Sequence, residues 1–195
     1  MDNPGKYFKQ ANAYAMQYGL LLGVWGILSL AAFVWSLSNS YMSLLCTVMM
    51  VGSPVFAAVL TLRYRNQTVL PRDGFSFGQG FIFSFLMGVY ASLWIAVATF
   101  IYMSYIDHGY VFDAYEQMLS DPAYQERLRQ AGMMAELNQL TGGRGVPALA
   151  DALRMISPAT YAGMSIYFAV LSGPFFAAII GLVSRRRGGF DQRKY

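Results

Sequence analysis

The sequence predicts an all-α integral membrane protein, a bundle of four membrane-spanning helices. Of its 195 residues, 56% are hydrophobic, 16% are aromatic and only 12% are charged, a more apolar composition than soluble domains of this size have. No Asp, Glu, Lys, Arg or His occurs between Lys9 and Arg63. A run of that length can cross a hydrocarbon core of about 30 Å twice, with one turn between the crossings.

Four spans are predicted within a single membrane domain that covers residues 1–195. They are residues 13–37, 41–62, 81–105 and 161–183. The polar turn Ser38-Asn39-Ser40 separates the first two, and Arg185 to Arg187 end the last apolar run. The runs are long and show no period-two alternation, which favours helices over barrel strands. The first span lacks a small-residue cleavage pattern, so it is predicted to act as its own targeting signal.

The basic residues predict the orientation of the bundle. Ten of the fourteen Lys and Arg residues fall on one side of it: Lys6, Lys9, Arg63, Arg65, Arg72, Arg185, Arg186, Arg187, Arg193 and Lys194. The other side carries a long loop, residues 107–160, in which acids outnumber arginines. Because cytoplasmic flanks are rich in Lys and Arg, both termini and the basic tail 184–195 are predicted to be cytoplasmic.

The arginines beside the spans are predicted to contact anionic lipid headgroups or a partner protein. They are Arg63, Arg65, Arg72, Arg185, Arg186 and Arg187. Attraction to the membrane surface explains the net charge of +4, so no nucleic-acid partner is predicted.

Residues 72–88, RDGFSFGQGFIFSFLMG, are interpreted as a short interfacial lead-in to the third span. The rings of Phe75, Phe77 and Phe81 are predicted to anchor at headgroup depth while Gln79 stays hydrated. Glycines at 74, 78 and 80 would let the chain bend into the helix. The rival interpretation, a phosphate-binding loop, lacks the Walker pattern and its lysine.

Two sequence shifts indicate an internal repeat. A shift of 120 residues aligns the second span with the fourth and places Pro54 on Pro174, so that Gly52-Ser53-Pro54 and Ser172-Gly173-Pro174 become equivalent kinks. A shift of 65 aligns the first span with the third. The fold is therefore predicted to be two similar helical hairpins, unless the likeness is chance similarity between apolar helices.

Small residues predict where helices approach closely, as with Gly19, Gly23 and Gly88. Such faces pack the bundle or form a homo-oligomer surface. The loop 107–160 is predicted to form amphipathic helices over 110–119, 123–140 and 146–156, capped by Ser120-Asp121-Pro122 and lying on the membrane or over the mouth of the bundle.

The spans carry no acid, histidine or arginine at membrane depth, which argues against ion-coupled transport. Asp107-His108 is the one neighbouring acid–histidine pair. It is a weak candidate for acid–base chemistry and more typical of a solvated helix end. Cys46 is expected to be a small apolar filler. No catalytic residue, metal site or cofactor is predicted.

The chain resembles an uncharacterised family of four-span inner-membrane proteins of Gram-negative bacteria, catalogued as a domain of unknown function. The resemblance covers nearly the whole chain. It rests on Tyr18-Gly19-Leu-Leu-Leu-Gly23, on Phe75-Ser76-Phe77-Gly78-Gln79-Gly80-Phe81, and on Tyr102-Met-Ser-Tyr105-Ile106-Asp107. It implies a bacterial inner-membrane location and, by analogy, a role beside a glycosyltransferase in envelope glycolipid assembly.

Two functions are consistent with the sequence. The first is a non-catalytic scaffold or accessory subunit of an envelope or lipid-linked glycan assembly complex, in which the arginines face an enzyme or its phosphorylated lipid. The second is a small lipid or solute conduit without ion coupling, which would need a cavity between the hairpins. A membrane enzyme using Asp107 and His108 is a third alternative.

Overall fold

The structure, a computed structural model, describes residues 4–70, 73–143 and 145–188. Within these ranges the chain is helical almost throughout. Its helices are α1 (Pro4–Ser36), α2 (Ser40–Thr68), α3 (Phe77–Ile101), α4 (Tyr110–Ser120), α5 (Pro122–Gln130), α6 (Met133–Leu140), α7 (Gly145–Arg154) and α8 (Pro158–Ser184). A π-helical turn, Tyr102–Ile106, extends α3.

Four of these helices are long and apolar enough to cross a membrane, and the predicted four-span helical fold is confirmed to that extent. The candidate spans are Tyr7–Ser36, Tyr41–Thr68, Phe77–Ile106 and Pro158–Ser184. Only 17–33% of the most apolar stretch of each helix is buried within the protein. Most of that apolar surface is therefore available to lipid rather than to a protein core.

The central helix of the bundle is α3, which packs against α1 on one side and α8 on the other. Gly19 and Gly23 of α1 meet Tyr90 and Trp94 of α3 in the same order, so these two helices are parallel. The second helix, α2, runs antiparallel to α1 and also touches α3 and α8. One end of the bundle, called here the basic end, holds the start of α1, the end of α2, the start of α3 and the end of α8.

The third span begins earlier and more sharply than the sequence predicted. Ser76 caps the helix by accepting a hydrogen bond from the Gln79 amide, and the Gln79 side chain accepts one from the Ser76 amide. This capping box satisfies two amides at the helix start. Gly78 and Gly80 are consequently helical, and the bend lies at Gly74, where φ is +68°.

Glycines set the distances between α3 and its two neighbours. A Cβ on Gly19 would lie 2.6 Å from the Tyr90 Cβ, and one on Gly23 would lie 2.8 Å from the Trp94 Cβ. The α3–α8 contact is similarly close, since a Cβ on Gly80 would lie 3.0 Å from the Gly181 Cα. The prediction for Gly88 is wrong, because a Cβ there would meet no atom within 4 Å. Its neighbourhood is open, so it brings no helices together.

Both predicted kink prolines, Pro54 and Pro174, lie inside continuous helices. Gly173 packs near α3, where an added Cβ would stand 3.4 Å from the Phe85 ring. The kinks themselves, and their equivalence in a repeat, stay predictions.

The opposite end of the bundle carries α4 to α7, called here the helical cap. Its second predicted helix, 123–140, is in fact two helices, α5 and α6. The break falls at Gly132, whose φ of +75° is incompatible with a continuing helix. Asp121 caps α5 with Pro122 in the first turn, as the sequence predicted.

Candidate functional site

The best candidate site is the group of arginines at the basic end, called here the arginine cluster. It comprises Arg63, Arg65, Arg185, Arg186 and Arg187. The sixth predicted member, Arg72, lies outside the described residues. Two of the five, Arg65 and Arg186, are partly buried, and the other three are exposed.

The side chains of Arg65 and Arg186 donate hydrogen bonds to backbone carbonyls at the ends of α8 and α2, respectively. Arg65 Nη1 donates to the carbonyl oxygen of Ser184 at 2.9 Å. Arg186 Nη2 donates to the carbonyl oxygens of Val69 and Leu70, each at 2.9 Å. The last carbonyls of a helix lack internal partners and carry partial negative charge, which favours arginine there. Arg65 therefore links α2 to the end of α8, and Arg186 links the segment after α8 to the α2–α3 connection.

A short backbone pairing completes this junction. The Phe75 amide donates to the Arg186 carbonyl at 2.7 Å, and the Arg186 amide donates to the Phe75 carbonyl at 2.9 Å. Arg186 Nε is buried and has no hydrogen-bond partner in the described part of the chain. Arg186 thus serves the fold with its backbone and with Nη2, and its contact with a headgroup stays a prediction.

The outer arginines Arg63, Arg185 and Arg187 are exposed. Among the described residues, no hydrogen bond or ion pair engages their guanidinium groups. Asp73 is the one acid that the described ranges place at this end, and no ion pair joins it to an arginine there. Among the described arginines of the basic end, three therefore carry a charge that no ion pair compensates, around a fixed pair.

A buried group of rings, called here the aromatic core, supports the arginine cluster. It consists of Tyr14, Tyr18, Tyr64, Phe75 and Phe83. The rings of Tyr64 and Phe83 stack at 3.9 Å between centroids, and the Phe75 ring meets Tyr64 edge-on at 6.3 Å. Phe75 is only 1% exposed, so the prediction that it anchors at headgroup depth is wrong. Phe77 is exposed and Phe81 is half-buried, and their anchoring stays a prediction.

Hydrogen bonds between side chains also connect the helices around the aromatic core, and the sequence did not predict them. Tyr18 donates to Gln67 Oε1 at 2.6 Å and thereby joins α1 to the end of α2. The hydroxyls of Thr61 and Ser84 lie 3.1 Å apart between α2 and α3. Predicted to be hydrated, Gln79 is half-buried and serves the capping box described above. These hydrogen bonds fix the helices whose ends carry the arginines.

Asp107 and His108 occupy the other end of the bundle and have different surroundings. Asp107 is 4% exposed, and its carboxylate accepts hydrogen bonds from the Gly109 and Val111 amides at 3.1 Å each. His108 is exposed with a φ of +45°. The carboxylate therefore caps the start of α4. Within the described residues, no three His, Cys, Asp or Glu side chains are grouped as a metal site would require.

We expect Asp107→Ala to lower the free energy of unfolding by about 1–2 kcal/mol, because two backbone amides lose their acceptor. In contrast, His108→Gly should change the free energy of unfolding by less than about 0.5 kcal/mol. Glycine adopts the left-handed backbone of residue 108 without strain, and this gain offsets the greater freedom that glycine gives the unfolded chain. Unfolding of both variants in mild detergent, followed by circular dichroism, tests the difference. Equal losses would contradict the capping role.

The helical cap is held by charge and by aromatic contact. Arg154 pairs with Glu116 at 3.0 Å, with Asp151 at 3.3 Å and with Asp113, which joins α7 to α4. The hydrogen bonds that Arg154 donates to Asp113, above all, and to Glu116 raise the pKa of Arg154. The ring of Tyr115 contacts the ring of Phe33 in α1. Burial is the largest cause of the raised pKa of Tyr115, and electrostatic interactions with Tyr124 and Cys46 raise it further. Cys46 is buried, consistent with the filler expected of it.

Comparison with known proteins identifies the family. Residues 17–186 match the family described as protein of unknown function, DUF4199. The chain belongs to this family. The resemblance to a family catalogued as a domain of unknown function is thus confirmed. Comparison with curated proteins gives no match, and comparison with solved structures gives none either.

The match runs from residue 17 in α1 to Arg186 and so reaches all four candidate membrane-spanning helices of this DUF4199 protein. It therefore includes every ring of the aromatic core except Tyr14 and ends on the arginine whose backbone pairs with Phe75. Chemically, the arginine cluster can bind anions through exposed guanidinium groups, which form bidentate hydrogen bonds with phosphate or carboxylate oxygens.

Proposed function

We propose that this protein is a non-catalytic, multi-pass membrane protein whose basic end binds anionic headgroups and an associated protein. The observation that carries the proposal is a set of three exposed arginines where apolar helices end, Arg63, Arg185 and Arg187, none of them paired within the described ranges. A guanidinium group near a membrane surface attracts anionic lipid by about 1 kcal/mol. Phosphate is the group that such an arginine contacts best.

The orientation belongs to the same proposal. With the basic end in the cytoplasm and the helical cap outside, the protein obeys the preference of Lys and Arg for cytoplasmic flanks. The bacterial inner membrane is the proposed location. The cap arginines Arg127, Arg129 and Arg154, which lie among acids, are then on the opposite side of the membrane.

The two-hairpin arrangement is also part of the proposal. The parallel course of α1 and α3, each followed by an antiparallel neighbour, is what a repeat about an axis along the membrane normal requires. The aligned Pro54 and Pro174 support it. The difference between Gly23, which faces a close neighbour, and its counterpart Gly88, which faces open space, counts against strict equivalence.

An accessory role in a complex follows from the same free charges. Arginines that form no ion pair in the described part of the chain can meet acidic groups of a second protein. We propose a membrane-bound enzyme of lipid-linked glycan assembly, such as a glycosyltransferase, as that protein. Affinity purification in mild detergent, with mass spectrometry of proteins and lipids, tests this. Recovery only as a bare monomer would contradict it.

We expect removal of two exposed arginines, in Arg185→Gln/Arg187→Gln, to weaken the preference for phosphatidylglycerol over phosphatidylcholine. Each charge should be worth about fivefold in relative association. The measurement reconstitutes the protein in vesicles of equal parts of both lipids and determines the lipid next to it by spin-labelled phospholipid. The change should shrink at high salt, which screens exposed charges.

The matched control is Arg127→Gln/Arg129→Gln, which removes the same charge from the helical cap. Its arginines are exposed, and Arg129 pairs with Glu126. It should leave the preference unchanged. The same loss in both double variants would mean that net charge alone matters, and no loss in either would refute the proposed function.

A further inference from the structure

An apolar groove of about 590 Å³ runs along the surface where α1 meets α2. Its lining includes Trp25, Val48, Val51, Gly52, Val55 and Val59. Val51 and Val55 are 68% and 63% exposed. Its lining residues lie within the candidate membrane spans of α1 and α2, so an apolar chain is the chemistry that the lining accepts.

Trp25 forms one wall of the groove, and its contacts with α2 fix its position. The Trp25 indole Nε1 donates to the Met49 carbonyl and to Ser53 Oγ, each at 3.1 Å, and its ring stacks on Phe56 at 4.9 Å. Gly52 leaves room beside the ring, since an added Cβ would stand 3.4 Å from Trp25. A tryptophan held by hydrogen bonds beside a missing side chain keeps a groove open without a ligand.

The face of α2 that lines the groove continues to the charged residue Arg63. On α2 the lining residues Val48, Val55 and Val59 follow helical spacing, and Arg63 is the next residue along the same face, four residues or about 6 Å beyond Val59. From Val48 to Arg63 the helix rises about 22 Å, about half as much again as one leaflet, which is half of a hydrocarbon core of about 30 Å. An acyl chain that lies along this face with its headgroup towards the basic end would bring the headgroup to the level of Arg63, which is exposed.

We propose that the groove binds an acyl chain of an anionic phospholipid whose phosphate pairs with Arg63. This rests on the proposed function, because it names the ligand of one exposed arginine. A second copy of the chain is a poorer occupant. A closed dimer in a membrane has its axis along the membrane normal, so the copies would bring their Arg63 side chains to one depth and oppose like charges.

The test is native mass spectrometry of protein extracted from vesicles made of equal parts of phosphatidylglycerol and phosphatidylcholine. Wild type should retain phosphatidylglycerol in preference to phosphatidylcholine. Val51→Trp, which fills the groove from an exposed position, should lose the retained phospholipid. Arg63→Gln should keep a lipid but lose about fivefold in its preference for phosphatidylglycerol.

Leu171→Trp is the matched control, an 81% exposed position on α8. The bond from Arg65 to Ser184 sets the level of the two parallel helices, and Val51 and Leu171 lie 14 and 13 residues before those positions, at nearly the same depth. This variant should retain lipid as wild type does, so a loss shared with Val51→Trp would overturn the inference.

The results separate the two proposals. If Arg185→Gln/Arg187→Gln reduces the preference but Val51→Trp and Arg63→Gln change nothing, the groove inference is wrong and the proposed function stands. If Val51→Trp and Arg63→Gln act as expected while the double variant does not, the groove inference stands and the wider cluster has no such role. Equal retention of the two lipids by wild type contradicts the groove inference directly.

Discussion

Gly19→Leu is expected to lower the free energy of unfolding by more than about 3 kcal/mol, the upper end of the usual cost of overpacking. A Cβ at this position would already lie 2.6 Å from the Tyr90 Cβ and 3.0 Å from the Met87 carbonyl oxygen. Neither atom is the free end of a flexible side chain, so α1 and α3 must separate. The measurement is unfolding by SDS titration in mixed micelles, followed by circular dichroism.

The matched control is Gly88→Leu, an equal change on the partner helix. No atom lies within 4 Å of an added Cβ at Gly88, so the leucine extends into open space or lipid. Because leucine favours helix over glycine by up to about 1 kcal/mol, this variant should be as stable as wild type or slightly more stable. Similar losses at both positions would show that α1 and α3 are not packed through Gly19.

The difference between Gly19 and Gly88 could not be predicted from the sequence, although the spans that contain them could. The spans follow from a physical requirement, since long uncharged runs must be helical to satisfy their backbone in lipid. Which face of a span meets another helix does not follow, because lipid and protein interior are equally apolar. Gly19 and Gly88 therefore have the same sequence signature, and only the packing distinguishes them.

The basic end was predicted in part for a similar reason. Charge at the ends of apolar runs located the arginines, but not which of them bind backbone carbonyls. Arg186 and Arg187 are adjacent in the sequence, yet one fastens the α2–α3 connection and the other is exposed. Phe75 was placed at the interface because aromatic residues accumulate there, whereas its pairing with Arg186, distant in sequence, draws it into the aromatic core.

Phe83→Ala is expected to lower the free energy of unfolding by about 3–4 kcal/mol. Phe83 is fully buried, and its ring meets Tyr64 at 3.9 Å and Tyr18 at 5.9 Å. In lipid the transfer of apolar surface from water contributes nothing to helix association, so the cavity dominates. A lost volume of roughly 100 Å³ costs about 2.4 kcal/mol, and loss of the aromatic pairs adds about 1 kcal/mol.

Phe168→Ala is the control, a phenylalanine that is 68% exposed on α8 and should change stability by less than about 0.5 kcal/mol. Hydrogen exchange distinguishes a local role from a general one. If the aromatic core supports the arginine cluster, Phe83→Ala should speed exchange of the paired Phe75 and Arg186 amides well before the helical cap is affected. Uniform loss of protection would mean that the cavity weakens the whole bundle, and that the basic end does not depend specifically on these rings.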